Sequence, residues 1–284
     1  MQMGRTLLKN GIIIDGTGKK CFWGDVLLED NRIACVSETP IQTADCQKID
    51  CKGKAIAPGF IDEHSHNDWY LASENDVEFI TPFIRQGITT FIGGNCGYGA
   101  AGIKKGSPYK RDIRNGLFGP GIDQELMPWD SWPEYFDFAT KHSLLTNLAV
   151  QAGHGTCLCS VAGLLPKSGT YSSEELDEVL MLLEECMDDG CTGVSLGLGY
   201  RPDRYLDMNH IYNVAKLVSK KGKVLSIHRG VERNAALPGE EPTNVKWMRN
   251  LLETLSDTGV RLQISHLLFP YHNAWPTCDA MLEL

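Results

Sequence analysis

One unit recurs four times along this chain: an amphipathic helical stretch, a glycine, then a short apolar strand. Glu78, Phe79, Ile80, Phe83 and Ile84 lead to Gly87 and a strand at 89–92. Leu176, Val179, Leu180 and Leu183 lead to Gly190 and a strand at 192–196. Ile211, Val214, Ala215 and Val218 lead to Gly222 and a strand at 224–227. Val245, Met248, Leu251, Leu252 and Leu255 lead to Gly259 and a strand at 260–264. Such spacing puts the apolar residues on one helix face, and glycine readily takes the backbone shape that ends a helix. Ser172 with Glu175 reads as a capping box, and Asp207 and Thr243 as N-caps of the next two helices. Strands joined through helices run parallel. Adding a first strand from Ile56 and a third at 147–150, after an aromatic-rich helical stretch near Trp132 to Phe138, gives six. The expected fold class is α/β: a TIM-like (β/α) barrel over 56–284, truncated after about six strands. A closed barrel takes eight units and about 250 residues.

Residues 1–55 follow another rhythm. Thr6–Leu8, Gly11–Ile14, Asp25–Leu28 and Arg32–Val36 read as short strands, punctuated by Asp15-Gly16, Thr17-Gly18 and Asp30-Asn31. A small N-terminal β-sandwich module without a helix is expected there.

A net charge of −9 and the lack of a basic run argue against nucleic acid as a partner. No apolar stretch reaches the roughly 18 residues of a membrane span. The start, Met1-Gln2-Met3-Gly4-Arg5, lacks the apolar core of a secretory signal. A cytoplasmic location is the expectation, with the ten cysteines as reduced thiols.

The strand ends carry the chemistry. The first ends in His64 and His66, spaced i, i+2, which on a strand share a face. The second ends in Gly93-Gly94-Asn95-Cys96-Gly97, the third in Gly153-His154-Gly155, and the fourth in Gly197-Leu198-Gly199-Tyr200. The fifth ends in His228-Arg229 and the sixth in Ser265-His266. In a parallel barrel these ends converge on one mouth. Five of the eight histidines stand there, and neutral imidazole is a common ligand of zinc and similar metals. Cys96 reads as a buried thiol by default and as a thiolate ligand in this company. His154, between glycines that admit close backbone approach, fits a ligand or an orienting imidazole equally. Arg229 fits a fork for a substrate carboxylate or a structural ion pair. His142 and His210 fall on polar helix faces and His272 in a Pro-containing loop, outside the site. The Gly- and Pro-rich loop from Tyr98 to Trp132 is expected near the mouth.

Together, Pro58-Gly59-Phe60-Ile61-Asp62 with His64 and His66, Gly94-Asn95-Cys96-Gly97, Gly153-His154-Gly155, Gly193 to Tyr200, His228 and Ser265-His266 resemble the N-acyl-D-amino-acid deacylase (D-aminoacylase) group of the amidohydrolase superfamily. The resemblance spans the whole chain. It implies zinc-dependent hydrolysis of the amide of N-acyl-D-amino acids, giving a carboxylate and a D-amino acid. It implies one tight zinc on Cys96, His228 and His266, with His64 and His66 at a second, weaker position. Arg229, His154 and Tyr200 would meet a small-molecule N-acyl amino acid. The family's acid/base aspartate follows strand eight, beyond Leu284, so a further C-terminal segment or second chain would supply it. The carboxylated lysine of dihydroorotases and hydantoinases has no counterpart, because 192–199 contains no lysine. Asn67, Leu267-Leu268 and the run 156–159 stand where relatives carry an acid, a lysine and an arginine; these departures bear on substrate choice more than on metal. A catalytically inactive metal-binding remnant and a cyclic-amide hydrolase are the alternatives.

Overall fold

The computed structural model describes residues 4–72, 76–116, 127–142, 144–230, 241–267 and 274–284. His272, Leu268 and residues 117–126 of the expected mouth loop lie outside the described residues. Two compact units divide between Phe60 and Ile61.

The first unit is one five-stranded sheet. It contains β1 (Arg5–Ile13), β2 (Phe22–Glu29), β3 (Arg32–Ser37), β4 (Gln47–Asp50) and β5 (Ala55–Ile56), with β1 at its centre. The two strands read at 6–8 and 11–14 form a single strand. Its register slips between Leu8 and Gly11, where Asn10 takes φ +61°. The buried Asp25 carboxylate accepts Asn10 N at 2.9 Å and Ile41 N at 3.0 Å, which holds this irregularity in place. Strand β4 escaped the sequence reading because Gln47-Lys48-Ile49-Asp50 carries no apolar run, and all four residues are exposed. The expected second layer of a sandwich has no counterpart among the described strands of this unit. Ile56, read as the opening of the barrel, instead belongs with Ala55 to β5, which pairs in parallel with β1. Pro58, which has no N–H to donate, then separates this strand from the next.

The second unit alternates strands and helices. In order it runs β6 (Phe60–Asp62), α1 (Asp76–Ile84), β7 (Ile88–Gly93), α2 (Lys110–Gly116), α3 (Trp132–Lys141), β8 (Asn147–Val150), β9 (Ala152–Gly153), α4 (His154–Ala162), α5 (Ser173–Asp188), β10 (Gly193–Gly197), α6 (Met208–Lys220), β11 (Val224–His228), α7 (Thr243–Leu255), β12 (Arg261–Ile264) and α8 (Ala274–Leu282). Strands β6-β7-β8 form one sheet and β9-β10-β11-β12 another, with each strand beside its sequence neighbour. The pairs β7–β8, β9–β10, β10–β11 and β11–β12 are parallel. The expected third strand is thus two short strands interrupted at Gln151, and the described strands form two sheets without a closed barrel. Val194, Leu196, Leu225 and Ile227 are fully buried beneath Val179 and Leu183 of α5, Val214 and Val218 of α6, and Leu251 of α7. Gly87, Gly190, Gly222 and Gly259 all take positive φ just after their helices. Both Ser172 and Asp207 cap as read, whereas α7 is preceded by Pro242 and Thr243 is its first residue. Among the described residues, no helix is long and apolar enough to cross a membrane.

Candidate metal centre

The parallel strands bring their C-terminal ends together, and the sequence places donors there. His64 and His66 follow β6, Cys96 stands in the turn after β7, His228 ends β11 and His266 follows β12. Cys96 Sγ lies 3.3 Å from His64 Nε2, 3.6 Å from His228 Nδ1 and 3.5 Å from His266 Nε2. His228 Nδ1 and His266 Nε2 are 2.7 Å apart. Donor atoms of His64, His66 and Cys96 form one compact group, those of Cys96, His228 and His266 another, and Cys96 is common to both. The five residues expected to ligate are therefore brought together.

This donor set fits zinc. Zn–S near 2.3 Å and Zn–N near 2.0–2.1 Å put neighbouring tetrahedral donors roughly 3.3–3.6 Å apart. The three sulfur–nitrogen separations match that spacing, whereas the His228 and His266 nitrogens, 2.7 Å apart at hydrogen-bond distance, lie closer than two ligands of one zinc and would have to separate around the ion. Nδ1 of His64 and of His66 are buried without a hydrogen-bond partner, a costly state for a polar atom in a protein interior. Burial, reinforced by His266 in both cases, pushes the His64 and His228 imidazoles down to about 4. His66 is lowered for the same reasons. Burial pushes the Cys96 thiol up to about 12.

The turn that presents Cys96 is tightly held. Gly94, Cys96 and Gly97 all adopt left-handed backbone, at φ +72°, +57° and +79°. Asn95, fully buried, donates its side-chain amide to Ile92 O at 2.8 Å and to Ser65 O at 3.4 Å, the carbonyl between His64 and His66. Thr156 Oγ1 accepts Gly99 N, and Asp68 Oδ2 accepts Ala100 N. Asp68 is wholly buried, and desolvation pushes its carboxyl up to about 7. The aromatic stretch around α3 braces the same loop: Trp129 donates to Ala100 O at 2.9 Å and Tyr135 to Asp68 O at 3.1 Å. None of these supports was read from the sequence. Each is a polar or aromatic residue whose partner is a backbone atom far along the chain, a relation that leaves no periodic trace.

The expected substrate contacts divide. The Tyr200 ring is partly exposed and lies 4.4 Å from the His228 ring, with Tyr98 5.4 Å further along. Arg229 is half-buried beside His228. His154 has another place. Its ring is fully buried, Nδ1 is 2.7 Å from Asp203 Oδ1 and Nε2 is 2.9 Å from His210 Nε2, so both ring nitrogens are occupied within the protein. The flanking glycines serve the chain: a side chain at Gly153 or Gly155 would strike the 97–99 loop. His210, read on a polar face, is buried and its imidazole is lowered to about 3 by that burial and then by His154. His142 remains exposed at the end of α3.

No family model matches the chain. It is 30% identical over 222 residues to the D-aminoacylase of Alcaligenes xylosoxydans xylosoxydans, covering 78% of this chain and 43% of that protein. A solved D-aminoacylase, described as defining a novel subset of amidohydrolases, superposes with a TM-score of 0.74 at 25% identity, over 98% of this chain and 56% of that one. The N-acyl-D-glutamate deacylase of Bordetella bronchiseptica, solved with zinc and a phosphonate mimic of the tetrahedral intermediate, shares the fold. Its TM-score is 0.78 at 23% identity, over 99% of this chain and 56% of that one. The chain spans about half the length of the relatives it matches. In sequence and in fold, the chain is similar to the D-aminoacylase group of the amidohydrolase superfamily.

Proposed function

We propose that this chain presents the metal-holding strand ends of a zinc-dependent amidohydrolase that cleaves the amide bond of N-acyl-D-amino acids, giving a carboxylate and a D-amino acid. The observation that carries the reading is the pair of donor groups sharing Cys96 Sγ. In this reading the two parallel sheets are arcs of a TIM-like (β/α) barrel, which their consecutive strand order supports. Cys96, His228 and His266 hold the tighter zinc, and His64 and His66 the weaker position. Zinc, when bound, supplies Lewis acidity toward the amide carbonyl and toward water. The imidazoles of His64 and His228 reach the site already neutral at physiological pH, so they coordinate without first losing a proton. Arg229, next to His228, meets the substrate carboxylate with its guanidinium fork, and the Tyr200 ring forms an apolar wall beside it. Asp68 is not assigned the proton transfer, because it is fully buried and accepts Ala100 N. The ten cysteines, all free, suit a reducing compartment such as the cytoplasm.

The test uses purified, zinc-loaded protein, supplied with the C-terminal segment or second chain that carries the acid/base aspartate, and N-acetyl-D-methionine, N-acetyl-L-methionine and dihydrouracil. Release of free D-methionine, lost in Cys96→Ala, is expected. Ring opening of dihydrouracil instead, equal turnover of the L-substrate, or no release with zinc bound would overturn the reading.

A further inference from the structure

Cys96 is the donor shared by both groups, yet its backbone lies in the left-handed region. A residue with a Cβ avoids that conformation unless its surroundings impose it. What imposes it comes from the neighbouring sheet. Ser195, fully buried on β10, accepts Gly97 N at 2.9 Å through Oγ and donates the same hydroxyl to Gly94 O. One side chain thus grips the backbone two residues before Cys96 and one residue after it. A second constraint closes the turn from the same strand. A side chain at Gly197 would strike the Cys96 carbonyl, so β10 can approach only with glycine there.

We propose that Ser195 is a positioning residue for Cys96: its two hydrogen bonds clamp the 94–97 turn so that Sγ points at the His64, His228 and His266 nitrogens. The proposal rests on the metal-binding reading above. Ser195 touches no donor atom, so its effect is transmitted through the backbone of the turn. Outer partners of this kind commonly change metal affinity by about 10–100-fold when removed.

The strand ladder provides a matched control. Ser226 pairs with Ser195 across β10–β11, is equally buried, and donates its hydroxyl to Gln263 Oε1 at 2.8 Å, away from the turn. Cobalt(II) serves as the probe, because a thiolate ligand gives it a near-ultraviolet charge-transfer band. Wild type, Ser195→Ala and Ser226→Ala are titrated with cobalt, with far-ultraviolet circular dichroism as the check on folding. Ser195→Ala should keep its fold, lose about 10–100-fold in cobalt affinity, and show a weakened or shifted charge-transfer band. Ser226→Ala should match wild type in both. Unchanged affinity and band in Ser195→Ala, equal losses in the two variants, or loss of fold in Ser195→Ala would overturn the proposal. A wild-type chain that binds no cobalt would instead overturn the metal reading on which it stands.

Discussion

At Cys96 burial holds the proton on sulfur, with the thiol raised to about 12, while the same burial keeps His64 and His228 unprotonated above about 4. A metal bound by the thiolate must displace that proton. The sign follows directly: across pH 6–8 these imidazoles do not titrate, the thiol stays protonated in the free protein, and each metal bound through sulfur releases one proton. Through the sulfur proton alone, metal affinity should therefore rise by at least about tenfold per pH unit over this range. Competition against a chromophoric chelator at pH 6, 7 and 8 measures it, and a flat profile in wild type would mean that sulfur is not a ligand. Cys96→Ala removes the donor common to both groups and should abolish tight binding altogether. His66→Ala removes a donor from one group only and should leave one tight metal in place.

Among the elements, α5 shows how a local sequence signal becomes a stable start. Ser172 Oγ accepts Glu175 N at 3.2 Å, and Glu175 Oε2 accepts Ser172 N at 2.9 Å. Ser172→Ala should lower stability by about 1 kcal/mol, read as a shift in urea midpoint at unchanged slope; no shift would mean that the box contributes nothing in the folded protein. Asp207, which accepts His210 N at 2.8 Å at the start of α6, should behave alike. These helices were legible because capping and apolar spacing are relations between residues three or four apart. The strand-end donors were legible for a related reason: the sequence marks where each strand stops, and parallel strands share a direction. Legibility ended where a residue's partner is distant in sequence. His154 has the residue type and position of a site histidine, but Asp203 and His210, at 49 and 56 residues' remove, engage both its nitrogens. Ile56 reads locally like the start of the barrel, and only the register of its strand with Ile12 and Ile13 assigns it to the first sheet.

For the molecule as a whole, the five donors come from the ends of four different strands in two sheets. The unfolded chain cannot gather them, so metal binding is coupled to the folded state. Free zinc at about 100 times its dissociation constant should add about 2.7 kcal/mol to unfolding. For a unit of this size, each kcal/mol is worth roughly 2–4 °C in Tm, so zinc should raise Tm by roughly 5–10 °C and a chelator should reverse it. The ten free thiols make this a stringent comparison. Zinc held by thiols of the unfolded chain would shrink the shift, because ligand bound to that state stabilises it instead. Calorimetry of wild type and Cys96→Ala, with zinc and with chelator, separates the two effects. A rise confined to wild type is expected of a site built by the fold. An equal rise in Cys96→Ala would place the stabilising zinc elsewhere on the chain and remove the strand-end donors from the stability of the protein.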